Sequence, residues 1–276
     1  MEKIDKSRFA WVGSDPEKRE GMARPSVTYW KDAIGRLKKN RVAMVCLCII
    51  ILLILSCVII PWVTPFDSRE QHLSCSNKGF FFSCVDERYE GQNLVHVFGT
   101  DRLGRDLLVR TFEGGRVSLM IAFAAVAVNL VVGMIYGGIS GYFGGLADNI
   151  MMRIVEVING IPYMIIVVLL MMVLPQGIFT MVIAYATTGW TGMARLVRGQ
   201  CLSLKNQEFV VASEAMGAKA GRIIGKHLLP NALSVIIINV TLAVPSAIFT
   251  EAFLSYIGMG VPVPQPSWAS MPQEGA

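Results

Sequence analysis

The residue types that carry chemistry are sparse in this chain, and none are spaced to perform it. The three histidines, His72, His96 and His227, are far apart, and none has metal-ligand spacing with another His or Cys. Residues 221–227, GRIIGKH, superficially resemble a phosphate loop. They fail as one, because only three residues separate the glycines, His227 replaces the Ser or Thr, and no strand precedes them. No nucleotide or metal is therefore expected on this chain. Cys75 and Cys84 bracket a polar and aromatic loop, SNKGFFFS, and could form a disulfide on an oxidising side of a membrane. Arg153 and Glu156 are three apart and can pair on one helix face.

The most structured polar stretch is 208–231, EFVVASEAMGAKAGRIIGKHLLPN. It reads as two short helices. Phe209, Ala212, Ser213 and Met216 recur at helical spacing as one small apolar face. Gly217 interrupts the pattern as a helix-ending glycine does. Ile223, Ile224 and Leu228 then fall on one side, with Lys219, Arg222 and Lys226 elsewhere, and Pro230 stops the second helix and starts the next apolar segment. A plain connection could be far shorter. The pattern fits either a knob gripped by another protein, as a groove takes an amphipathic helix, or a surface helix pair with no partner.

The elements that position this stretch are apolar blocks. Hydrophobic residues make up 53% of the chain and charged ones 16%, which makes it a polytopic membrane protein. The net charge of +5 does not indicate nucleic acid, because the basic residues sit beside apolar spans. Residues 1–41 carry eleven Lys or Arg and are expected in the cytoplasm, followed by an anchor helix at 42–61 that is not a cleaved signal peptide. Cys46, Cys48 and Cys57 are apolar fillers there. Residues 62–116 form an exposed, extracytoplasmic segment. The core, 117–276, holds spans at 117–138, 157–174, 178–194 and 232–250, with the polar loop 195–231 on the cytoplasmic side. Gly133, Gly137 and Gly141 give the first of these a face for close helix approach. Pro162 and Pro245 should kink two others. Five spans leave residue 276 outside, and a sixth is expected beyond it.

The knob also resembles the coupling loop of permease subunits of bacterial ABC importers. Their pattern is Glu-Ala-Ala, three residues, Gly, nine residues, Ile, one residue, Leu-Pro. Ala212, Gly217, Leu229 and Pro230 fit in register, whereas Val211, Ser213 and His227 depart from it. Three further stretches resemble the dipeptide/oligopeptide permease family: 98–119 (FGTDRLGRDLLVRTFEGGRVSL), 194–218 (ARLVRGQCLSLKNQEFVVASEAMGA) and 251–271 (EAFLSYIGMGVPVPQPSWASM). Within it, the chain looks like the second of two paired permeases, the one with an N-terminal anchor helix.

The resemblance implies an all-α type I importer permease fold in a bacterial cytoplasmic membrane. Its implied partners are the lipid bilayer, a second permease, two cytoplasmic ATPases that hold ATP and Mg, and an extracytoplasmic peptide-binding protein. It implies an ATPase-coupling role for Ala212, Ser213, Glu214, Ala215, Met216, Gly217, Ala218 and Arg222. Asn129, Tyr163, Thr187, Asn239 and Glu251 are the polar candidates for lining the pathway, with Glu251 equally able to brace the outer loop. Peptides are the expected cargo. Nickel complexes or another small solute are the alternative within the family. A secondary transporter would need midplane carboxylates and internal repeats, and neither is found. A membrane scaffold would not need the knob or the kinked spans.

Overall fold

The computed structural model describes residues 29–85 and 93–272. Most of the expected N-terminal segment, residues 1–28, lies outside the described residues. The chain divides into two compact units after Leu53. The first holds α1 (Tyr29–Lys39) and the first half of α2 (Arg41–Val63). Asn40 separates the two helices, and its side chain accepts from the Ala43 amide, capping α2. At 23 residues α2 is about 35 Å long, enough to cross a bilayer core.

The second unit begins with an irregular segment carrying a short antiparallel hairpin, β1 (Phe82–Val85) and β2 (Asn93–His96), with Phe82 opposite His96. A disulfide joins Cys75 to Cys84. The loop it closes is stitched to residues 97–106. Thr100 Oγ1 donates to the Cys75 carbonyl and accepts from the Lys78 amide. The Asp101 carboxylate accepts from the Leu103 and Arg105 amides and from Arg105 Nε. His96 Nδ1 lies 2.7 Å from Asp106 Oδ2, both buried, and Asp106 Oδ1 accepts from the Val109 amide. Asp106 is thus the N-cap of the next helix.

That helix, α3 (Leu107–Phe143), starts ten residues before the expected span. Helical structure therefore begins at residue 107, within the segment expected to be exposed. The reason lies in long-range pairing: Arg110 looks like a loop residue, yet it is buried, donating to the Ser68 carbonyl and facing Asp101. Then come α4 (Gly145–Gly160), α5 (Tyr163–Val173), α6 (Ile178–Lys205), α7 (Glu208–Ala215), α8 (Ala220–Ile223) and α9 (Leu229–Tyr256). Gly144 and Gly145, both at positive φ, turn the chain between α3 and α4. Pro162 marks the break between α4 and α5, which are bent by 78°. Pro245 makes no such break, and α9 runs through it. Nor does Pro230 stop a helix. The chain stays helical from Ala220 to Tyr256 through a π turn at Ile224–Leu228. The wide turn opens the ladder at the Lys226 carbonyl, which the Pro230 ring would otherwise strike.

Among the described residues, three helices are long and apolar enough to cross a membrane: Arg41–Val63, Leu107–Phe143 and the run Ala220–Tyr256. Counting the bent α4–α5 pair as one span makes four. The fifth expected span, α6, falls below that measure of apolarity, with Thr187, Thr188, Thr191, Arg195 and Arg198 along it. The architecture is helical, with one small hairpin among the described residues. Its closest helix pair is α3 with α6. A Cβ on Gly133 would lie 2.6 Å from Met193 Cβ, and one on Gly141 2.6 Å from Cys201 Cβ. The glycine face does bring a second helix in.

Candidate functional site

The knob is built as a buried seat under an exposed apex. α7 ends in a Schellman turn, in which the Ala218 amide donates to Ser213 O and the Gly217 amide to Glu214 O. This geometry needs the left-handed φ of +80° at Gly217. Val210, Ile223 and Leu228 are fully buried and join Met193, Val197 and Cys201 from α6 and Ala232 and Ile236 from α9 in one apolar cluster. Ser213 also faces inward, with its Oγ 3.4 Å from His227 Nε2. Ala212, Glu214, Ala215, Gly217 and Arg222 are exposed, Ala218 is half-buried, and Met216 is 82% exposed.

The expected apolar face is therefore split. Ser213 points inward beside Val210, while Phe209, Ala212 and Met216 point outward. In a helix of only eight residues, periodicity does not fix which apolar stripe faces the protein. The outward set, with Val211, forms an apolar patch that stays exposed among the described residues.

Two polar ties hold the seat to α3 and α4. Arg198 donates to both oxygens of Asp148, from Nε at 2.5 Å and Nη2 at 2.6 Å, while Ser140 donates to Asp148 Oδ1. Lys205 Nζ donates to the Tyr142 carbonyl and lies over the Tyr142 ring. Nothing local in the sequence marks Arg198 as the partner of Asp148, fifty residues away. The Arg153–Glu156 pair is present at 2.8 Å on an exposed face. GRIIGKH is helical and not the glycine-rich loop of a phosphate cradle.

The pathway candidates do not form one group. Asn129 is buried between α3 and α6 against Gly189, which removes it from any open surface. Thr187 donates to the Ile183 carbonyl within its own helix, and Asn239 is half-buried. Tyr163 and Glu251 do line one void, of about 10 Å³, together with Tyr185, Met181 and Leu254. That is room for one water, not for a solute.

Known proteins agree with this architecture. The family described as "binding-protein-dependent transport system inner membrane component" matches residues 130–276. The "N-terminal TM domain of oligopeptide transport permease C" matches residues 28–79. The oligopeptide transport system permease protein OppC of Bacillus subtilis is 45% identical over all of this chain and 86% of its own length. The dipeptide transport system permease protein DppC of the same organism is 44% identical over 96% of this chain and 80% of its own. OppC of Escherichia coli K12 is 39% identical over 90% of this chain and 78% of its own. With over half of its length matched by the family and a helical membrane body around an exposed knob, the chain belongs to the binding-protein-dependent transport system inner membrane components.

Proposed function

We propose that the chain is one of two paired permeases in an ATP-driven importer of di- or oligopeptides, and that the knob is where a cytoplasmic ATPase drives it. The observation that carries the reading is the pairing of an exposed apolar apex, Phe209, Val211 and Met216, with a seat buried in α6 and α9. A patch outside the apolar spans, on a rigidly supported short helix, fits a protein groove. ATP and Mg belong to the partner ATPases, and a binding protein delivers the peptide at the end opposite the knob. Closure of the ATPases would press on α7. Because Val210, Ile223 and Leu228 share a core with α6 and α9, that push moves packed helices as bodies. Peptide cargo is favoured by the names of the relatives, which are oligopeptide and dipeptide permeases.

Gly217 supplies the test. No atom lies within 4 Å of where its Cβ would be, so a large side chain there projects from the knob rather than into the seat, while its φ of +80° strains the turn at the apex. In the reconstituted importer, Gly217→Trp should leave membrane insertion intact. It should also abolish ATP-driven uptake of a labelled peptide while the ATPases still hydrolyse ATP. Unchanged uptake in this variant refutes the coupling role. Wild-type uptake that needs no ATP and follows the proton gradient refutes the importer itself.

A further inference from the structure

We propose that Glu251 is a positioning residue that latches the 261–271 loop to α3 at the end opposite the knob. Glu251 is 2% exposed, and neither carboxylate oxygen has a hydrogen bond. The hydroxyls facing it are Ser118 of α3 and Ser267 of the loop, both fully buried. Each hydroxyl oxygen already accepts a loop amide, Ser118 Oγ from Trp268 and Ser267 Oγ from Ser270, both at 3.1 Å. A serine hydroxyl has one hydrogen to give. Both hydrogens remain available, and the acceptor without donors beside them is the Glu251 carboxylate. Buried polar groups are satisfied as a rule, and a small rotation of either hydroxyl satisfies these. Two hydrogen bonds then tie α9, α3 and the loop at one point.

The loop is shaped for this seat. Trp268 Nε1 donates to the Thr111 carbonyl at 2.8 Å. A Cβ on Gly114 would lie 3.1 Å from the Ser267 carbonyl carbon, and one on Gly115 2.5 Å from the Trp268 ring. Both glycines therefore admit the loop backbone and the indole against α3. The other side of Glu251 meets Tyr163 across a void too small for a solute. The geometry thus favours bracing over lining. The fastening stands on these contacts alone. Its consequence, that the loop is an outer gate held shut until the ATPases close, rests on the importer reading.

Ala269 sits in the latched loop and is 8% exposed. In the complete importer in lipid nanodiscs, Ala269→Cys should react slowly with a water-soluble maleimide. Adding Glu251→Leu should raise that rate by about tenfold or more, the shift expected for losing two hydrogen bonds. Ser118→Ala with Ser267→Ala should do the same should the Glu251 variant not assemble. Cys201, fully buried in the knob's seat, serves as the reporter of global unfolding. Faster labelling at 269 with Cys201 protected supports the latch. An unchanged rate at 269, or Cys201 exposed in step with it in both variants, overturns it. Labelling at 269 that ATP does not alter in the otherwise unsubstituted importer overturns the gate role while leaving the fastening in place.

Discussion

Gly141 offers the sharpest test of how the knob is supported. It stands on α3 where the helix meets Cys201 of α6, a member of the seat cluster. In Gly141→Ala the new methyl would lie 2.6 Å from Cys201 Cβ and 2.9 Å from the Arg198 carbonyl oxygen. Carbon atoms in contact normally sit about 3.5–4.0 Å apart, so the overlap is roughly 1 Å. Neither obstructing atom can rotate away, because one is a Cβ and the other is backbone. The helices must part, and a gap of that size forfeits about a quarter to a half of each dispersion contact along the seam. Overpacking of this kind costs about 1–3 kcal/mol, and rigid neighbours put it at the upper end. Alanine returns up to about 1 kcal/mol in helix propensity. The net loss is about 2 kcal/mol. Gly138→Ala is the control three residues earlier. Its methyl would meet Ile224 Cγ2 at 3.1 Å and Leu229 Cδ2 at 3.9 Å, both tips of side chains that can move, while the propensity gain is the same. Unfolding midpoints in mild detergent should therefore place Gly141→Ala below wild type and Gly138→Ala level with it or above. Equal midpoints for the two variants would refute the close approach of α3 to α6.

Leu228 fills the seat from the π turn, so Leu228→Ala leaves a cavity costing about 2–5 kcal/mol. The loss is local, and limited trypsin digestion should cut at Arg222 and Lys226 several-fold faster than in the unsubstituted chain. The Asp148–Arg198 pair is open to a double-mutant cycle. Asp148→Asn or Arg198→Met alone strands a charge, whereas both together leave no charge unpaired, so thermal midpoints should show the double variant less destabilised than the sum of the singles.

The features legible in the sequence were those that repeat within a few residues. Apolar blocks located α2, α3 and α9, and the glycine spacing on α3 foretold a helix seam. Gly217 announced the end of α7, because its left-handed turn is a local demand. What stayed hidden was set by distant partners. The charged residues at 110, 113 and 116 read as loop because nothing nearby shows that Arg110 is neutralised by Asp101 and the Ser68 carbonyl. Asp148 finds Arg198, and Ser118 finds the Trp268 amide 150 residues on. The phase of α7 was equally illegible, since Phe209 and Val210 are both apolar neighbours and only the core below decides which is buried.

The hidden contacts give the chain its mechanical continuity. α9 enters the knob's seat through Ala232 and Ile236 and carries Glu251 near its other end. Its 28 residues span about 42 Å as a single helix that Pro245 does not interrupt. A push on α7 is received by α6 and α9 together, because both supply walls of the seat. α6 cannot yield alone, since the glycine seam and the Asp148–Arg198 tie bind it to α3 and α4. α3 in turn carries Ser118, which faces Glu251. The knob and the latch therefore share α9, the knob reaches α3 through α6, and a rigid shift of α9 against α3 at one end has to be met by Glu251 moving against Ser118 at the other.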